Sequence, residues 1–280
     1  MSVLKLKSCV VITSLLATAP LFASENREKL GEFTASVEFG YIMTSGNTST
    51  TSFIVKTDVG FETESFRNQF EFDSLFKQDE ISFTDDEGNE RTKDVTSKEK
   101  YFASAQTNYK LNEKGDAVLA FGSYETDRFS GFHYQASLAT GYNTRLLDSA
   151  TGFLDFSIGP GYAFDSIRHN VNENNERLNG NNVVYDENGM PVMGDAEPRS
   201  QFILRGAATY QRKLMKGVNF RAAYSIEDGD YNTKSTFETS LTMQINGSLS
   251  LKASIRDKRN TNETSSNKNK RNTITLVYDF

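Results

Sequence analysis

The sequence predicts an all-β protein: a closed antiparallel transmembrane β-barrel of about twelve strands, with short periplasmic turns and long extracellular loops. Three observations predict this fold. The chain begins with a secretory leader, apolar and polar residues alternate with a period of two from residue 33 onward, and short connections between strands alternate with longer ones. A period of two places apolar side chains on one face of a strand and polar side chains on the other.

The first 23 residues have the order of a secretory signal peptide. Lys5 and Lys7 form a short positive start, an apolar run follows, and small residues come at the end of that run. We expect cleavage after Ala23, because cleavage after Ala19 would place Pro20 directly beyond the cut. Residues 24–32 then form a short N-terminal segment, and residues 33–280 form the barrel.

Composition narrows the class of protein further. Cys9 is the only cysteine and lies in the leader, so the mature part is expected to have no disulfide or thiol chemistry. No later run of about 18 apolar residues predicts a membrane-spanning helix. Mean hydropathy is low, at −0.54, but the alternating strands of a barrel average to a low value even when they cross a membrane. The net charge of −6 argues against a nucleic-acid partner.

Twelve segments show the alternation. In the first, Phe33 to Met43 place apolar residues at odd positions, and Ser45-Gly46-Asn47 then predicts a tight turn. The segment 117–127 is apolar on both faces as far as Gly122, so its inward side stays unassigned. The apolar rows span 33–43, 53–61, 66–76, 101–111, 117–127, 134–142, 154–164, 202–210, 218–226, 237–243, 249–255 and 274–280.

The connections between these segments separate a membrane barrel from a soluble β-sandwich, which would also alternate. Every second connection is short, and the long ones, near 79–97, 167–198 and 257–269, all belong to the other set. A sandwich has no reason to sort its loops in this way, whereas barrels have short periplasmic turns and longer extracellular loops. In the second long loop, Asp186 to Gly189 predict the turn of a hairpin.

The ends of the chain are expected to meet. In hydrocarbon every backbone N–H and C=O needs a partner within the protein, so the first strand must pair with the last, near 33–43 and 271–280. The chain ends in an amphipathic strand with Tyr278 and Phe280. This end resembles the signal that the outer-membrane assembly machinery recognises.

Three short clusters carry a family resemblance: Tyr41 with Ser45-Gly46-Asn47-Thr48, then Tyr124-Glu125-x-Asp127-x-Phe129, then Gly159-Pro160-Gly161-Tyr162. In this order they resemble the salt-induced outer-membrane proteins of Gram-negative bacteria, a family of unknown function. The resemblance extends from about residue 33 to the end. It implies an outer-membrane location and a link to salt or osmotic response, and it supplies no catalytic residue.

Charged residues occupy the polar face of many strands and are the candidate pore lining. They are Glu38, Lys56, Glu71, Asp73, Asp155, Arg205, Arg221, Glu227, Glu238, Lys252 and Arg256. One interpretation is a polar pore with a selective field, and the other is a set of opposed charges that pair and plug the lumen. Eight-stranded barrels are filled by side chains and sixteen-stranded ones hold an aqueous channel, so twelve strands leave both open. Arg205 with Arg221, or Lys252 with Arg256, could form a basic stripe for a small anionic solute.

Two functional hypotheses follow. The first is a narrow channel for ions or small solutes, linked to salt or osmotic response. The second is a non-conducting structural or loop-presenting barrel with a salt-bridged lumen. We expect no enzyme, because His133 and His169 are the only histidines and neither lies in a serine-nucleophile motif.

No cofactor or metal is expected either, because the acidic loops lack the spacing of a calcium motif. The Gly159-Pro160-Gly161 segment is expected to form a β-bulge. Expected partners are outer-membrane lipid and lipopolysaccharide, the outer-membrane assembly machinery and periplasmic chaperones. A barrel of about twelve strands is compatible with a monomer.

Overall fold

The computed structural model describes residues 33–44, 49–85, 88–112, 114–261 and 269–280. Several sequence predictions lie outside these residues: the signal peptide 1–23, the segment 24–32, the Ser45-Gly46-Asn47 turn and residues 262–268 of the third long loop. In the described part of the chain there is no helix that is long and apolar enough to cross a membrane.

Twelve long strands form one closed antiparallel barrel, as the sequence predicted, and three very short strands form a separate small sheet. The barrel strands are β1 (Phe33–Thr44), β2 (Thr50–Glu62), β3 (Phe66–Thr84), β4 (Glu90–Lys110), β5 (Ala117–Asp127), β6 (Phe132–Ser149), β7 (Gly152–Arg168), β11 (Ala196–Met215), β12 (Val218–Gly229), β13 (Lys234–Gln244), β14 (Leu249–Asn260) and β15 (Asn269–Asp279). The small sheet contains β8 (Asn170–Val171), β9 (Arg177–Asn179) and β10 (Asn182–Val183).

The first and last strands close the barrel. In β1, Val37 lies opposite Tyr278 of β15 and Glu38 lies opposite Val277. The Phe280 N–H donates a hydrogen bond of 2.9 Å to the Ala35 carbonyl. Neighbouring strands are otherwise consecutive in the chain, apart from β7 and β11, which flank the long loop that holds the small sheet. Closure leaves no strand edge exposed to lipid.

Alternate residues of each strand point to the inner and the outer face of the barrel. In β5, Ala117 and Leu119 are buried inside the barrel, whereas Val118 and Tyr124 point outward and are about half exposed. The apolar segment that could not be oriented from sequence is therefore oriented by its position in the closed sheet. The inner face of β5 continues with Glu125 toward the extracellular end.

Two of the three predicted long loops are shorter than expected. The loop predicted at 79–97 is mostly a hairpin, because β3 runs to Thr84 and β4 starts at Glu90. Pairs such as Phe83 with Arg91 continue the ladder beyond the predicted ends of these strands. Polar residues there broke the apolar row without breaking backbone pairing, since a ladder outside the membrane needs no apolar face. For the same reason β14 continues through Asn260.

The loop between β7 and β11 matches its prediction more closely. It spans residues 169–195, against the predicted 167–198, and it contains the small sheet. The Asp186 N–H donates to the Met190 carbonyl at 2.8 Å, and Gly189 has a φ of 75°. These contacts form the predicted hairpin turn, where a positive φ favours glycine.

The bulge predicted at Gly159-Pro160-Gly161 is wrong. The register with β11 runs through all three residues without a shift, and the bulges of β6 lie near its two ends. The glycines instead allow β6 and β7 to approach closely, since a Cβ on Gly159 would lie 2.0 Å from the Thr140 carbonyl oxygen. Pro160 has an exposed side chain on the outer face.

Candidate functional site: the barrel lumen

The barrel encloses a cavity of about 590 Å³. Its lining extends from Glu62 and Arg67, near the short turns, to Lys98 and Asp127, near the extracellular end. Ten basic and seven acidic side chains line it, although the whole chain has a net charge of −6. Basic side chains therefore outnumber acidic ones in the cavity lining, whereas acids outnumber bases in the whole chain.

All eleven predicted lumen charges lie on the inner side of the barrel wall. Four of them are buried behind the cavity lining: Glu38, Lys56, Asp73 and Lys252. The seven that line the cavity are Glu71, Asp155, Arg205, Arg221, Glu227, Glu238 and Arg256. Most of them form ion pairs, and these pairs, together with polar side chains that were not predicted, form three groups at different places in the lumen.

The first group, which we call the wall cluster, consists of Lys56, Glu71, Asp73, Glu238 and Arg256. The Lys56 ammonium lies 3.3 Å from Glu71 and 3.5 Å from Glu238. The Arg256 guanidinium lies 3.1 Å from Glu71, 2.6 Å from Asp73 and 2.9 Å from Glu238. Acids and bases alternate in space, so this side of the lumen is filled by mutually neutralised charge.

A smaller pair lies beside the wall cluster at the junction of the first and last strands. The Lys252 ammonium of β14 donates to Glu38 of β1, and the Thr275 hydroxyl of β15 donates to the same carboxylate at 3.3 Å. This arrangement joins three strands across the closure. Of the two basic stripes considered from sequence, the pair Lys252 and Arg256 is therefore used in ion pairs.

The second group crosses the lumen near its extracellular end. Lys258 of β14 donates to Glu125 of β5, and these strands are six positions apart in either direction around the ring of twelve. Next to them, the Asn260 side chain of β14 donates to Gln135 of β6 at 3.2 Å. We call these four residues the transluminal bridge. Its Glu125 and Lys258 side chains are only 12% and 11% exposed, so the bridge crosses the lumen with little of either side chain open to solvent.

Sequence reasoning missed most of this bridge. Lys258 and Asn260 lay within a predicted loop, and Gln135 is uncharged. Glu125 was predicted only as part of the Tyr124-Glu125-x-Asp127-x-Phe129 cluster. The signal that could have identified Lys258 is the continued alternation of β14, in which Lys252, Arg256 and Lys258 all fall on even positions.

The third group lies at the periplasmic end, which is more open. The Arg145 guanidinium makes two hydrogen bonds to Asp155, of 2.7 and 2.9 Å, and Arg67 pairs with Glu62 at 3.2 Å. The Glu62 side chain is 37% exposed. A second cavity of about 470 Å³ shares Glu62 and Arg67 and continues to the turn at Leu111. The lumen is therefore a vestibule that opens toward the periplasmic turns.

The remaining pair of predicted basic residues is much less engaged. The Arg221 side chain lines the cavity but forms no hydrogen bond and no ion pair within 4 Å with any residue that the structure describes. Arg205 lies over the ring of Phe121, with its guanidinium carbon 3.6 Å from the ring centroid, and its Nε lies 3.7 Å from Glu227. Among the predicted basic lumen residues, these two arginines have the weakest protein partners within the described ranges.

Both histidines lie outside the lumen, at the base of the loop between β7 and β11. His169 Nε2 lies 3.0 Å from Glu197, and His133 Nε2 lies 3.4 Å from Asp195. The Arg177 guanidinium also donates to Glu197, at 2.7 Å. Across the described ranges, no three His, Cys, Asp or Glu side chains are grouped so that they could hold a metal ion.

The outer surface shows the environment for which the barrel is built. Among the described residues, 21 buried side chains are polar or charged and seven are apolar, the inverse of a water-soluble protein. Large apolar side chains on the outside include Phe39, Phe70, Tyr101, Tyr124, Leu138, Ile158, Phe202 and Ile274. A closed barrel with an apolar exterior and a charged interior is a membrane-spanning barrel. The molecule is thus an outer-membrane β-barrel of a Gram-negative bacterium.

The chain belongs to the family described as "Protein of unknown function, DUF481", which matches residues 37–280. This match confirms the predicted membership in an outer-membrane family of unknown function. A curated relative, the uncharacterized protein YdiY of Escherichia coli (strain K12), is 25% identical over 141 residues. That match covers 50% of this chain and 50% of YdiY, so the chain spans about half the length of this relative.

Two solved structures are similar in fold. The translocator domain of the autotransporter NalP from Neisseria meningitidis has 9% sequence identity and a TM-score of 0.45, covering 89% of this chain and 87% of NalP's. The COG4313 outer membrane channel from Pseudomonas putida F1 has 11% identity and a TM-score of 0.45, covering 90% of this chain and 96% of the other.

Proposed function

We propose that this protein is a narrow outer-membrane channel for ions or small solutes, closed at rest by the transluminal bridge. The observation that carries the proposal is the cavity of about 590 Å³, which starts at the periplasmic end and reaches the level of Glu125 and Lys258. A barrier made of a few polar side chains can move aside without unfolding the barrel. The excess of basic residues in the cavity lining gives the open channel a preference for anions.

The link to salt or osmotic response is part of the same proposal. The Debye length falls from about 8 Å at 0.15 M salt to about 3 Å at 1 M, so added salt weakens ion pairs that water can reach. The bridge borders the cavity, and Glu125 and Lys258 both line it. Since largely buried pairs are screened less than exposed ones, raised ionic strength weakens the bridge modestly and increases the open fraction of the channel to the same modest extent.

The second candidate is a non-conducting barrel that supports the envelope or presents its loops. The wall cluster and the transluminal bridge favour it, because together they join both sides of the lumen by paired charges. In either case the proposal assigns no catalytic residue. It keeps outer-membrane lipid, lipopolysaccharide, periplasmic chaperones and the assembly machinery as partners, with Tyr278 and Phe280 as the assembly signal.

Single-channel recording in planar bilayers tests the proposal. The refolded mature protein would be compared with Lys258→Gln, which opens the bridge but leaves Glu125 its second partner, Lys100, at 3.1 Å. The matched control is Arg259→Gln, the next residue, whose side chain is 60% exposed and pairs with Asp257. We expect discrete steps that occur more often in Lys258→Gln and at high KCl, with no change in the control.

Ion preference follows from the same recordings, when KCl is compared with LiCl and with potassium acetate. Replacement of chloride is expected to change the conductance more than replacement of potassium. If all variants are folded and inserted but show no steps, the channel proposal is wrong and the non-conducting barrel is the better account.

A further inference from the structure

Arg205 is a buried cation without adequate protein partners. It is 8% exposed, and its guanidinium donates no hydrogen bond to any residue among those described. Its nearest acid, Glu227, lies 3.7 Å from Nε and already accepts hydrogen bonds from Lys234 at 2.9 Å and Ser137 at 3.0 Å. Burial of a charge is costly unless the group is paired and hydrogen-bonded, so this guanidinium needs another acceptor.

The wall around Arg205 is shaped to leave its guanidinium accessible from the cavity. Gly159 of β7 lies opposite Arg205, and Gly141 of β6 lies beside Gly159, so two successive strands carry no side chain at this level. Across them the guanidinium reaches Phe121 of β5, and its carbon lies 3.6 Å from the ring centroid. The ring covers one face of the group and leaves the terminal N–H donors at the edge of the contact, whereas Nε is buried without a hydrogen-bond partner among the described residues.

Two serines that line the cavity lie one step of the register from Arg205, toward the periplasmic end. Ala207 of β11 follows Arg205 by two residues on the same face, and it lies opposite Ser157 of β7 and Ser225 of β12. Both serines line the cavity. Neither hydroxyl bonds to a side chain or backbone group within the described ranges. The small Ala207 between them leaves space for a bound molecule against the wall.

We propose that Arg205, with Ser157 and Ser225, forms a binding site for a small oxyanion, either a carboxylate or a phosphate. A planar guanidinium offers parallel N–H donors that match two oxygens of such an anion, and hydroxyl groups donate to the remaining lone pairs. A cavity of about 590 Å³ suits a small organic anion. The inference rests on the proposed function, because the bound anion would be the solute that the lumen admits.

Binding can be measured without conduction. The refolded protein, in a nonionic detergent without lipid, would be titrated with acetate and followed by saturation-transfer NMR, with inorganic phosphate as competitor. The variants are Arg205→Gln and Arg205→Lys. The control is Arg212→Gln, the same change on the same strand but on the outer face. Heat-modifiable migration in gels confirms that each variant is folded.

We expect acetate to bind and phosphate to displace it. Arg205→Gln is expected to weaken binding at least tenfold, Arg205→Lys to retain part of it, and Arg212→Gln to match the parent protein. The proposal is overturned if the folded parent protein binds no acetate, or if Arg205→Gln binds it equally well. Anion binding that depends on Arg205 in a barrel that gives no current would refute the channel and leave this site in place.

Discussion

Glu125 pairs with two lysines, whereas each lysine depends on Glu125. Removal of Glu125 and removal of Lys258 should therefore destabilise the barrel by different amounts. Lys100 lies on the neighbouring strand, 3.1 Å away, whereas Lys258 comes from the opposite side of the barrel. All three side chains are between 11% and 13% exposed. Glu125→Gln therefore leaves two largely buried lysines without their acid, whereas Lys258→Gln leaves Glu125 with Lys100.

The expected losses of stability follow from the number of buried charges that each substitution leaves without a partner. Removal of one partner of a buried ion pair destabilises by about 3–5 kcal/mol, because the other charge is left uncompensated. We expect Glu125→Gln to lower the free energy of unfolding by about that amount. Lys258→Gln removes one charge-assisted hydrogen bond and strands no charge, so its expected effect is about 1.5–3 kcal/mol.

Urea unfolding of the refolded barrel, followed by circular dichroism, measures both effects. The control is Glu99→Gln, which removes an ion pair of 3.2 Å between Glu99 and Arg128. Arg128 is 67% exposed, so this change should alter stability by about 1 kcal/mol or less. The reasoning fails if Lys258→Gln destabilises as much as Glu125→Gln, since Lys100 would then not be supporting the acid.

Three further predictions concern the wall, a loop and a turn. Gly159→Ala should abolish the heat-modifiable folded form in gels, because the new Cβ would lie 2.0 Å from a backbone oxygen of β6. The control Gly206→Ala should fold normally, because the nearest atom to its new Cβ would be 3.5 Å away. Gln201→Ala should raise hydrogen exchange in the β12–β13 loop, because this side chain makes three hydrogen bonds of 2.7 to 3.2 Å to its backbone; unchanged exchange would contradict this. In the turn before β5, the hydrogen bond from Thr144 holds the pKa of Asp116 below its usual 3.8. Because the pKa is lower in the folded protein, the ionised carboxylate of Asp116 stabilises the fold above pH 3.8, and this stabilisation is lost as the pH falls through the folded pKa. Asp116→Asn should therefore make acid unfolding less steep than in the parent protein.

The barrel could be predicted because its main determinants are local. Alternation assigns a face to the residues of a strand that is apolar on one side only, as in strands as different as β1 and β14, whereas β5 is apolar on both sides and was oriented only by the closed sheet. The same local rule placed all eleven predicted charges on the inner face. It failed where strands continue past the membrane, as in β3 and β4, because pairing there needs no apolar row.

The Gly159-Pro160-Gly161 segment shows a different kind of failure. Locally these residues indicate a bulge, since proline cannot donate to the ladder and glycine favours irregular backbone. In the folded barrel the neighbouring β6 approaches so closely that the glycines are needed for contact between backbones. The closed sheet determines that β6 is the neighbour and how closely its backbone approaches β7. Neither property can be predicted from the segment alone.

The sequence by itself determined that this protein is a membrane-spanning barrel with a charged interior, because hydrophobic periodicity and the need to satisfy every backbone group act strand by strand. Only the tertiary structure decided which interior charges meet. Glu125 and Lys258 are 133 residues apart in the chain and six strands apart around the ring. Their contact depends on the register of every strand between them, as does the absence of a strong partner for Arg205. The register accumulates around the whole barrel, so no local pattern in the sequence encodes it.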